Sequence, residues 1–317
     1  MNNMLYFSIV IPLYNKYEYI QSTIESVISQ TYPYFEVIIV DDGSTDGSST
    51  IIEQLNDKRI RLIRQENKGV SAARNRGVNE SKFEFIAFID GDDRWHKDFL
   101  TTIKNLIIVY PNLDLFATKF AIVKNQQIIA PFYETFPKNK NTTFNLFEIG
   151  YNDRQAALPI NSSNIVIKKK ALIEVGLFDE RIHFFEDYDL FMRLAINGDI
   201  AFANFEPLSF YDQDVPIHNK ATGKLPSLEK NLFYYTKKSQ KLFKKNILFE
   251  KYYLKLFAIY TLDYWLNDNY HRNIKEIMST IQIDKFPLKY KILYLIPYKA
   301  LRRLIQLYNL LKKITKK

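Results

Sequence analysis

The chain has 317 residues, with 44 Lys and Arg against 35 Asp and Glu, a formal charge of +9 at pH 7. That length suits two ordinary domains or one large α/β domain with an appendage, and 47% hydrophobic residues exclude a disordered chain. The absence of Cys excludes a disulfide scaffold, a thiolate zinc site and a cysteine nucleophile, and suits a reducing compartment.

Taken in chain order, FSIVIPL (7–13), FEVIIVD (35–41), RIRLI (60–64) and FEFIAFID (83–90) read as strands rich in Ile, Val and Phe. Helical stretches Tyr17–Gln30, Ser48–Leu55 and Val70–Ser81 lie between them. This rhythm predicts a mostly parallel sheet with helices on both faces. LDLFATKFAIVKNQQIIA predicts two antiparallel strands around a turn at Lys124-Asn125, and the polar stretch Phe136–Pro159 predicts a loop. NIVIKKKALIEVGLFD predicts a strand and short helix, and EDYDLFMRLAING a helix ended by Gly198. Beyond residue 216 the chain is Lys-, Leu- and Tyr-rich with helical spacing. The first 16 residues have neither the basic start nor the cleavage site of a signal peptide. No uncharged apolar stretch reaches the ~18 residues that a membrane-crossing helix needs. A soluble or membrane-surface protein is expected.

Charge is divided unevenly. Residues 216–317 hold 22 Lys and Arg against 6 Asp and Glu, an excess of 16, whereas residues 1–215 hold 22 against 29, a deficit of 7. An acidic body at 1–215 and a basic helical region at 216–317 follow, with a further division of the body near residue 112. The basic tail points to an anionic partner, either nucleic acid or an anionic lipid surface.

In parallel sheets, functional groups gather beyond the carboxyl ends of the strands. Two of the predicted ends are acidic. In VDDGSTDGS (40–48) a turn and a helix cap account for one acidic residue but not for the pair Asp41-Asp42, which can accept hydrogen bonds from a base or a ribose. In FIDGDDRW (88–95), Asp90, Asp92 and Asp93 repel one another unless a cation or a raised pKa relieves them. Carboxylates without Cys or clustered His favour Mg²⁺ or Mn²⁺ over zinc, and such an ion suits a nucleoside diphosphate. No G-x-G-x-x-G follows the first strand, so a doubly wound NAD enzyme is excluded.

Four ordered segments, SIVIPLYNK…VDDGSTDGS, NKGVSAARNRG, FIDGDD and FFEDYDLFMRL, closely resemble the family-2 glycosyltransferases, inverting enzymes of the GT-A fold. The resemblance covers about residues 7–197 and leaves out the basic tail. It implies a nucleotide-sugar donor, expected to be a uridine diphosphate sugar, and a glycan or lipid-linked glycan acceptor of the bacterial surface type. By position, Pro12 and Tyr14 line the base pocket, although Tyr14 at a strand end also suits plain packing. Asp41 and Asp42 meet base and ribose. Arg74 matches a nucleotide-facing basic residue, against which stands a solvated helix face. Asp90, Asp92 and Asp93 match the metal-binding region, with Asp92 or Asp93 on the ion. His218 is either a diphosphate or metal group or a solvated loop residue; the segment around it departs from the family pattern. Asp187 matches the general base, with Glu186 the runner-up, while the plain reading of both is favourable placement at a helix start. Arg193 is expected to form a salt bridge on the helix surface.

Two rival classes stand beside this reading. One is a non-catalytic nucleotide-sugar-binding relative, disfavoured by the intact metal and base motifs. The other is a nucleic-acid binder stacking bases on Tyr234, Tyr235, Tyr252 and Tyr253, disfavoured because these recur beside Leu and Ile as on a packed helix face. In the tail, Leu301, Leu304, Ile305, Tyr308 and Leu311 make an apolar stripe among Arg302, Arg303, Lys312 and Lys313, after Pro297. LKYKILYLIPY (288–298) lies just upstream. A basic amphipathic helix of this kind is expected to lie in a membrane interface, against which stands a helical appendage packed on the catalytic domain or on a dimer partner. The expected location is the cytoplasm or, peripherally, the inner face of the cytoplasmic membrane.

Overall fold

The computed structural model describes residues 4–130, 140–212, 226–281 and 283–314. It divides into two compact units, one of residues 1–149 with 158–224 and the other of 150–157 with 225–317.

The first unit opens in strict alternation: β1 (Phe7–Leu13), α1 (Ile20–Ile28), β2 (Phe35–Asp41), α2 (Ser48–Glu53), β3 (Ile60–Arg64), α3 (Val70–Glu80) and β4 (Phe85–Phe88). It continues through β5 (Arg94–Trp95), α4 (Phe99–Val109), β6 (Leu115–Thr118), β7 (Phe120–Lys124), β8 (Gln127–Ile129), β9 (Lys140–Phe144) and the start of α5 (Leu146–Asn152), whose last three residues belong to the second unit. It closes with β10 (Ile165–Lys168), α6 (Lys169–Glu174), α7 (Glu186–Ala195), β11 (Ile200–Asn204) and β12 (Ser209–Asp212). Eight strands form the main sheet in the order β3-β2-β1-β4-β10-β6-β11-β9, and β5-β12-β7-β8 form a smaller one. β1 runs parallel to both β2 and β4, and β2 to β3, while β10 and β9 are antiparallel to their neighbours. The mostly parallel sheet read from the sequence is present.

Every residue of β1 is buried, as its unbroken apolar run requires of a central parallel strand. Phe7, Ile9, Ile11 and Leu13 face one side, packed with Ile20, Ile24 and Val27 of α1 and Phe99, Ile103 and Leu106 of α4. On the other side α3 presents small residues: Ala73 packs with Ile38 and Val40 of β2. The chain order reverses between β1 and β4, so the loops that follow these two strands open beside each other.

Three sequence expectations need correction. The hairpin exists, with Asn125 and Gln126 both at positive φ, but the strand before it breaks near Lys119. Its first part, β6, joins the main sheet and its second, β7, the small one. The stretch expected to be a loop contains β9 and α5, because β9 completes the edge of the sheet against β11 despite a polar KNTTF sequence. Arg193 is no surface residue. Its side chain is largely buried, pairs with Asp189 at 2.7 Å and donates to the carbonyls of Val175 and Leu177 just beyond α6.

The second unit consists of α8 (Thr236–Phe243), α9 (Ile247–Tyr260), α10 (Leu262–Trp265), α11 (His271–Ser279), α12 (Leu288–Leu295) and α13 (Tyr298–Ile314). α9 is its axis: Tyr252, Tyr253, Leu256 and Phe257 are fully buried, and the Phe233 ring meets Phe257 edge-on at 5.6 Å. The Tyr252 hydroxyl donates to the carbonyl of Ala156 (3.1 Å), and Lys255 Nζ donates to the carbonyls of Tyr151 (2.6 Å) and Asp153. Tyr252 and Tyr253 are therefore core residues and offer no stacking platform for bases.

Gly77 of α3 lies so close to β1 that an added Cβ would stand 2.2 Å from Val10 Cγ1. Gly77→Ala is expected to destabilise the first unit by about 1–3 kcal/mol through overpacking. Val10→Ala in the same chain should recover part of the loss, both read from urea unfolding.

Candidate active site

The loop after β1 is fastened to the loop after β2. The N–H of Asn15 donates to Ser44 Oγ (3.1 Å), that of Lys16 to Ser48 Oγ (2.9 Å) and that of Tyr17 to Asp46 Oδ2 (2.9 Å). In return, Asn15 Oδ1 accepts from the N–H of Thr45 at 2.9 Å. Pro12 is buried at the end of β1, and Tyr14 leaves an exposed ring beyond it. Asp41 and Asp42 are both buried but differently employed. Asp41 Oδ1 accepts from the N–H of Ser44 (2.9 Å), and its other oxygen lies 4.0 Å from Arg64 Nε. Asp42 has both oxygens engaged, Oδ1 by Gln65 Nε2 (2.8 Å) and the N–H of Lys68 (2.9 Å), Oδ2 by the N–H of Gly69 (2.8 Å). Asp42 thus shapes the turn into α3.

Where the order of strands reverses, the loops after β1 and β4 meet through an ion pair of 2.5 Å between Lys16 Nζ and Asp92 Oδ2. Asp93 is buried and accepts from the N–H of Asp212 (3.4 Å). Burial first, then repulsion from Asp90 and Asp92, pushes its carboxyl well above the usual range. Asp92 is raised too, by burial, with Lys16 opposing the shift.

Arg74 joins this acidic loop to the start of α7. Its side chain is 3% exposed, and its two terminal nitrogens reach Asp90 Oδ1 (2.7 Å) and Glu186 Oε1 (3.0 Å). Its guanidinium lies over the Phe178 ring at 5.2 Å, and its buried Nε has no hydrogen-bond partner among the described residues. The neighbouring residues of α3 hold the approach to α7: Asn75 donates to the Phe178 carbonyl and Glu180 (both 3.0 Å), and Ser71 to the Ile182 carbonyl (3.3 Å). Phe185 then turns the chain at φ 64°, a left-handed conformation that is strained for a bulky residue. That turn delivers Glu186 and Asp187 as the first two residues of α7.

The two carboxyls differ in company. Burial, then repulsion from Asp187, pushes Glu186 up to about 7 even though Arg74 holds it. Asp187 Oδ1 accepts only the N–H of Tyr188 (2.8 Å), and no side chain among the described residues hydrogen-bonds to it. Burial raises its carboxyl as well, with Arg74 opposing.

The structure therefore brings together Asp90, Asp92, Asp93, Glu186, Asp187 and Arg74. Pro12, Tyr14 and Asp41 stand at adjoining strand ends. His218 lies outside the described residues. Sequence reading missed three members. Lys16 follows the PLYN motif with no local sign of its partner 76 residues away. Tyr211 on β12 is pushed up to about 12 by burial, then by Asp93, Asp92, Asp90 and Asp187. The Ser163 hydroxyl receives the N–H of Asp90 (3.1 Å), and its carbonyl receives Trp95 Nε1 (2.6 Å) and the Ser209 hydroxyl (2.8 Å). The donor set suits a hard divalent ion, since carboxyls raised by burial and mutual repulsion are what such an ion relieves. Among the described residues no three such groups already stand as a metal cluster.

A mostly parallel sheet reversing at β1 and β4, with acidic loops at its carboxyl edge, is of the GT-A class, as the likeness in fold to TarS shows. The family model for glycosyl transferase family 2 matches residues 8–178, more than half of the chain, and the chain belongs to that family. It is 30% identical to the amylovoran biosynthesis glycosyltransferase AmsB of Erwinia amylovora over 81% of this chain and 85% of that one. It is 43% identical to the putative teichuronic acid biosynthesis glycosyltransferase TuaG of Bacillus subtilis over 29% of this chain, though that match spans only 38% of TuaG. A 39% match to glycosyltransferase GlyA of Streptococcus pneumoniae spans 15% of that relative. In fold the chain resembles S. aureus TarS 1–349, solved with UDP-GlcNAc, with a TM-score of 0.73, 18% identity and 94% of this chain and 88% of that one covered.

Removing Arg74 should expose the electrostatics that it balances. Breaking a buried pair while leaving its partners charged costs about 3–5 kcal/mol. Glu186 already binds its proton more tightly folded, at about 7, than unfolded, at about 4.3. Loss of the guanidinium raises the folded value further, so the added penalty grows as pH climbs past about 7. Arg74→Gln is expected to lose more stability against wild type at pH 9 than at pH 6, measured by thermal unfolding at the two pH values.

Proposed function

We propose that the chain is an inverting glycosyltransferase that moves a sugar from a nucleoside diphosphate, expected to be UDP, to a hydroxyl of a glycan or lipid-linked glycan. Membership of glycosyl transferase family 2 supports the reaction class. The similarity to AmsB and TuaG, glycosyltransferases of amylovoran and, putatively, teichuronic acid biosynthesis, supports a surface polysaccharide as the destination. The UDP-GlcNAc complex of TarS supports a uridine donor. The observation that carries the reading is the bridge through Arg74, which ties the acidic loop after β4 to the Glu186-Asp187 pair at the start of α7.

In this reading Tyr14 lies against the base, and Asp41 accepts from base or ribose. Asp92 and Asp93, with His218, would hold a divalent ion, which when bound neutralises charge on the departing diphosphate. Lys16, paired with Asp92, would supply a further positive charge for the diphosphate. Asp187 takes the proton from the acceptor hydroxyl as that oxygen attacks the anomeric carbon from the face opposite the leaving group. Glu186, held by Arg74, fixes the helix start from which Asp187 projects. An α-linked donor gives a β-glycoside, with no covalent intermediate on the enzyme. The basic helical unit suits work at the cytoplasmic face of a membrane, where lipid-linked acceptors are presented.

Asp187→Asn preserves shape but cannot accept the proton. Turnover with a UDP-sugar panel is expected to fall by about 10²–10⁴-fold while UDP binding, read by calorimetry, persists. If Glu186→Gln gives that loss and Asp187→Asn does not, the base is Glu186. EDTA is expected to abolish transfer and Mn²⁺ or Mg²⁺ to restore it; full activity of an Asp92→Ala, Asp93→Ala double variant would remove the metal from the mechanism.

A further inference from the structure

The basic helical unit is built with one apolar surface too many. α12 is bracketed by Pro287 and Pro297, and its Tyr294 is buried, with the hydroxyl hydrogen-bonded to Thr261 Oγ1 (2.8 Å) and the Ala258 carbonyl (3.1 Å). Its ring also packs at 5.4 Å from Trp265 and 5.8 Å from Phe286. That contact fixes which way the helix faces. On the far side Leu288, Ile292 and Leu295, at i, i+4 and i+7, are 72%, 51% and 63% exposed. Lys289 and Lys291 flank this stripe on either edge. Of the stripe expected on α13, Leu301 is buried, Leu304 exposed and Ile305 half-buried, while the side chains of Tyr308 and Leu311 lie outside the described residues; Leu307 is exposed as well, and Arg303 lies beside Leu304.

We propose that the exposed stripe of α12, with Leu304 and Leu307 of α13, docks on an anionic lipid surface. Charge selects this occupant. After Asp284 the chain carries ten Lys and Arg and no Asp or Glu. Lys285, Lys291 and Arg302 are engaged by Glu250, Asp284 and Asp268, yet the region keeps a net positive charge. A second copy of the chain would bring the same positive face and be repelled, whereas an anionic leaflet attracts that excess. Lysines beside a Leu stripe keep their stems along the apolar surface and their heads in the headgroup layer. Eight residues of α12 reach only about 12 Å, so the helix lies in the interface. No helix among the described residues is long and apolar enough to cross a membrane.

The test needs no donor or acceptor, so its outcome is independent of the glycosyl-transfer reading. Full-length protein is sedimented with phosphatidylcholine vesicles, with and without phosphatidylglycerol. It is expected to pellet with the anionic vesicles alone and to be released by high salt. Leu288→Gln, Ile292→Gln and Leu295→Gln together should weaken partition at least about tenfold while leaving the thermal unfolding curve and UDP binding unchanged. Lys289→Gln with Lys291→Gln, which leaves the apolar stripe intact, should weaken it less and flatten the salt dependence. Failure of the wild type to pellet with anionic vesicles, or pelleting of the triple-Gln variant equal to wild type, overturns the proposal.

Discussion

A buried guanidinium between two carboxylates that lie far apart in sequence organises the first unit. Arg74 reaches Asp90, 16 residues away, and Glu186, 112 residues away. The desolvation cost of burying such a charge is offset only when every partner is in place, so the pairing is stringent. If α3 shifts along β1, both ion pairs fail together. The small residues Ala73 and Gly77 are the packing side of the same bargain, since they let α3 approach the sheet closely enough for Arg74 to reach across its edge.

The rest of the site follows from the direction of the strands. Parallel β1, β2 and β4 must release their loops at one edge, and the reversal of order between β1 and β4 leaves those two loops facing each other. The interlocking of residues 15–17 with 44–48 makes one surface of two loops. Lys16 and Asp92 then join it to the third. Against five acidic groups, Asp90, Asp92, Asp93, Glu186 and Asp187, this edge sets Arg74 and Lys16 as the paired cations. The surplus of negative charge appears as carboxyls pushed upward, and it is the electrostatic condition in which a bound cation or a transferred proton is most strongly held.

Much of this was legible because the signal was local. Continuous apolar runs mark β1, β2 and β4, and the acidic ends of two of them point to the pair Asp41-Asp42 and to the Asp90–Asp93 loop. Motif matching placed Glu186 and Asp187, and the structure brings them to the same edge. What escaped was set by tertiary context. KNTTF becomes β9 because β11 offers an unpaired edge, and nothing in its own polarity announces that. The break between β6 and β7 has no Gly or Pro to mark it, since the chain changes sheets there. The partnerships of Lys16, Tyr211 and Ser163 span dozens of residues and leave no periodic trace. Arg193 forms the expected salt bridge, but the carbonyls that bury it lie beyond another helix and leave no local sign.

The eight residues 150–157 set an order of events during synthesis. They are made in the middle of the first unit yet belong with the second. Their anchors come much later: Tyr252 follows Ala156 by 96 residues, and Lys255 follows Tyr151 by 104. At about 5–20 residues per second, the ribosome leaves this segment waiting on the order of 5–20 s for α9. During that interval the carbonyls of Tyr151 and Ala156 lack the side chains that later bond them. β10, α7 and β12 are translated meanwhile, before the side chains that anchor residues 150–157 have left the tunnel.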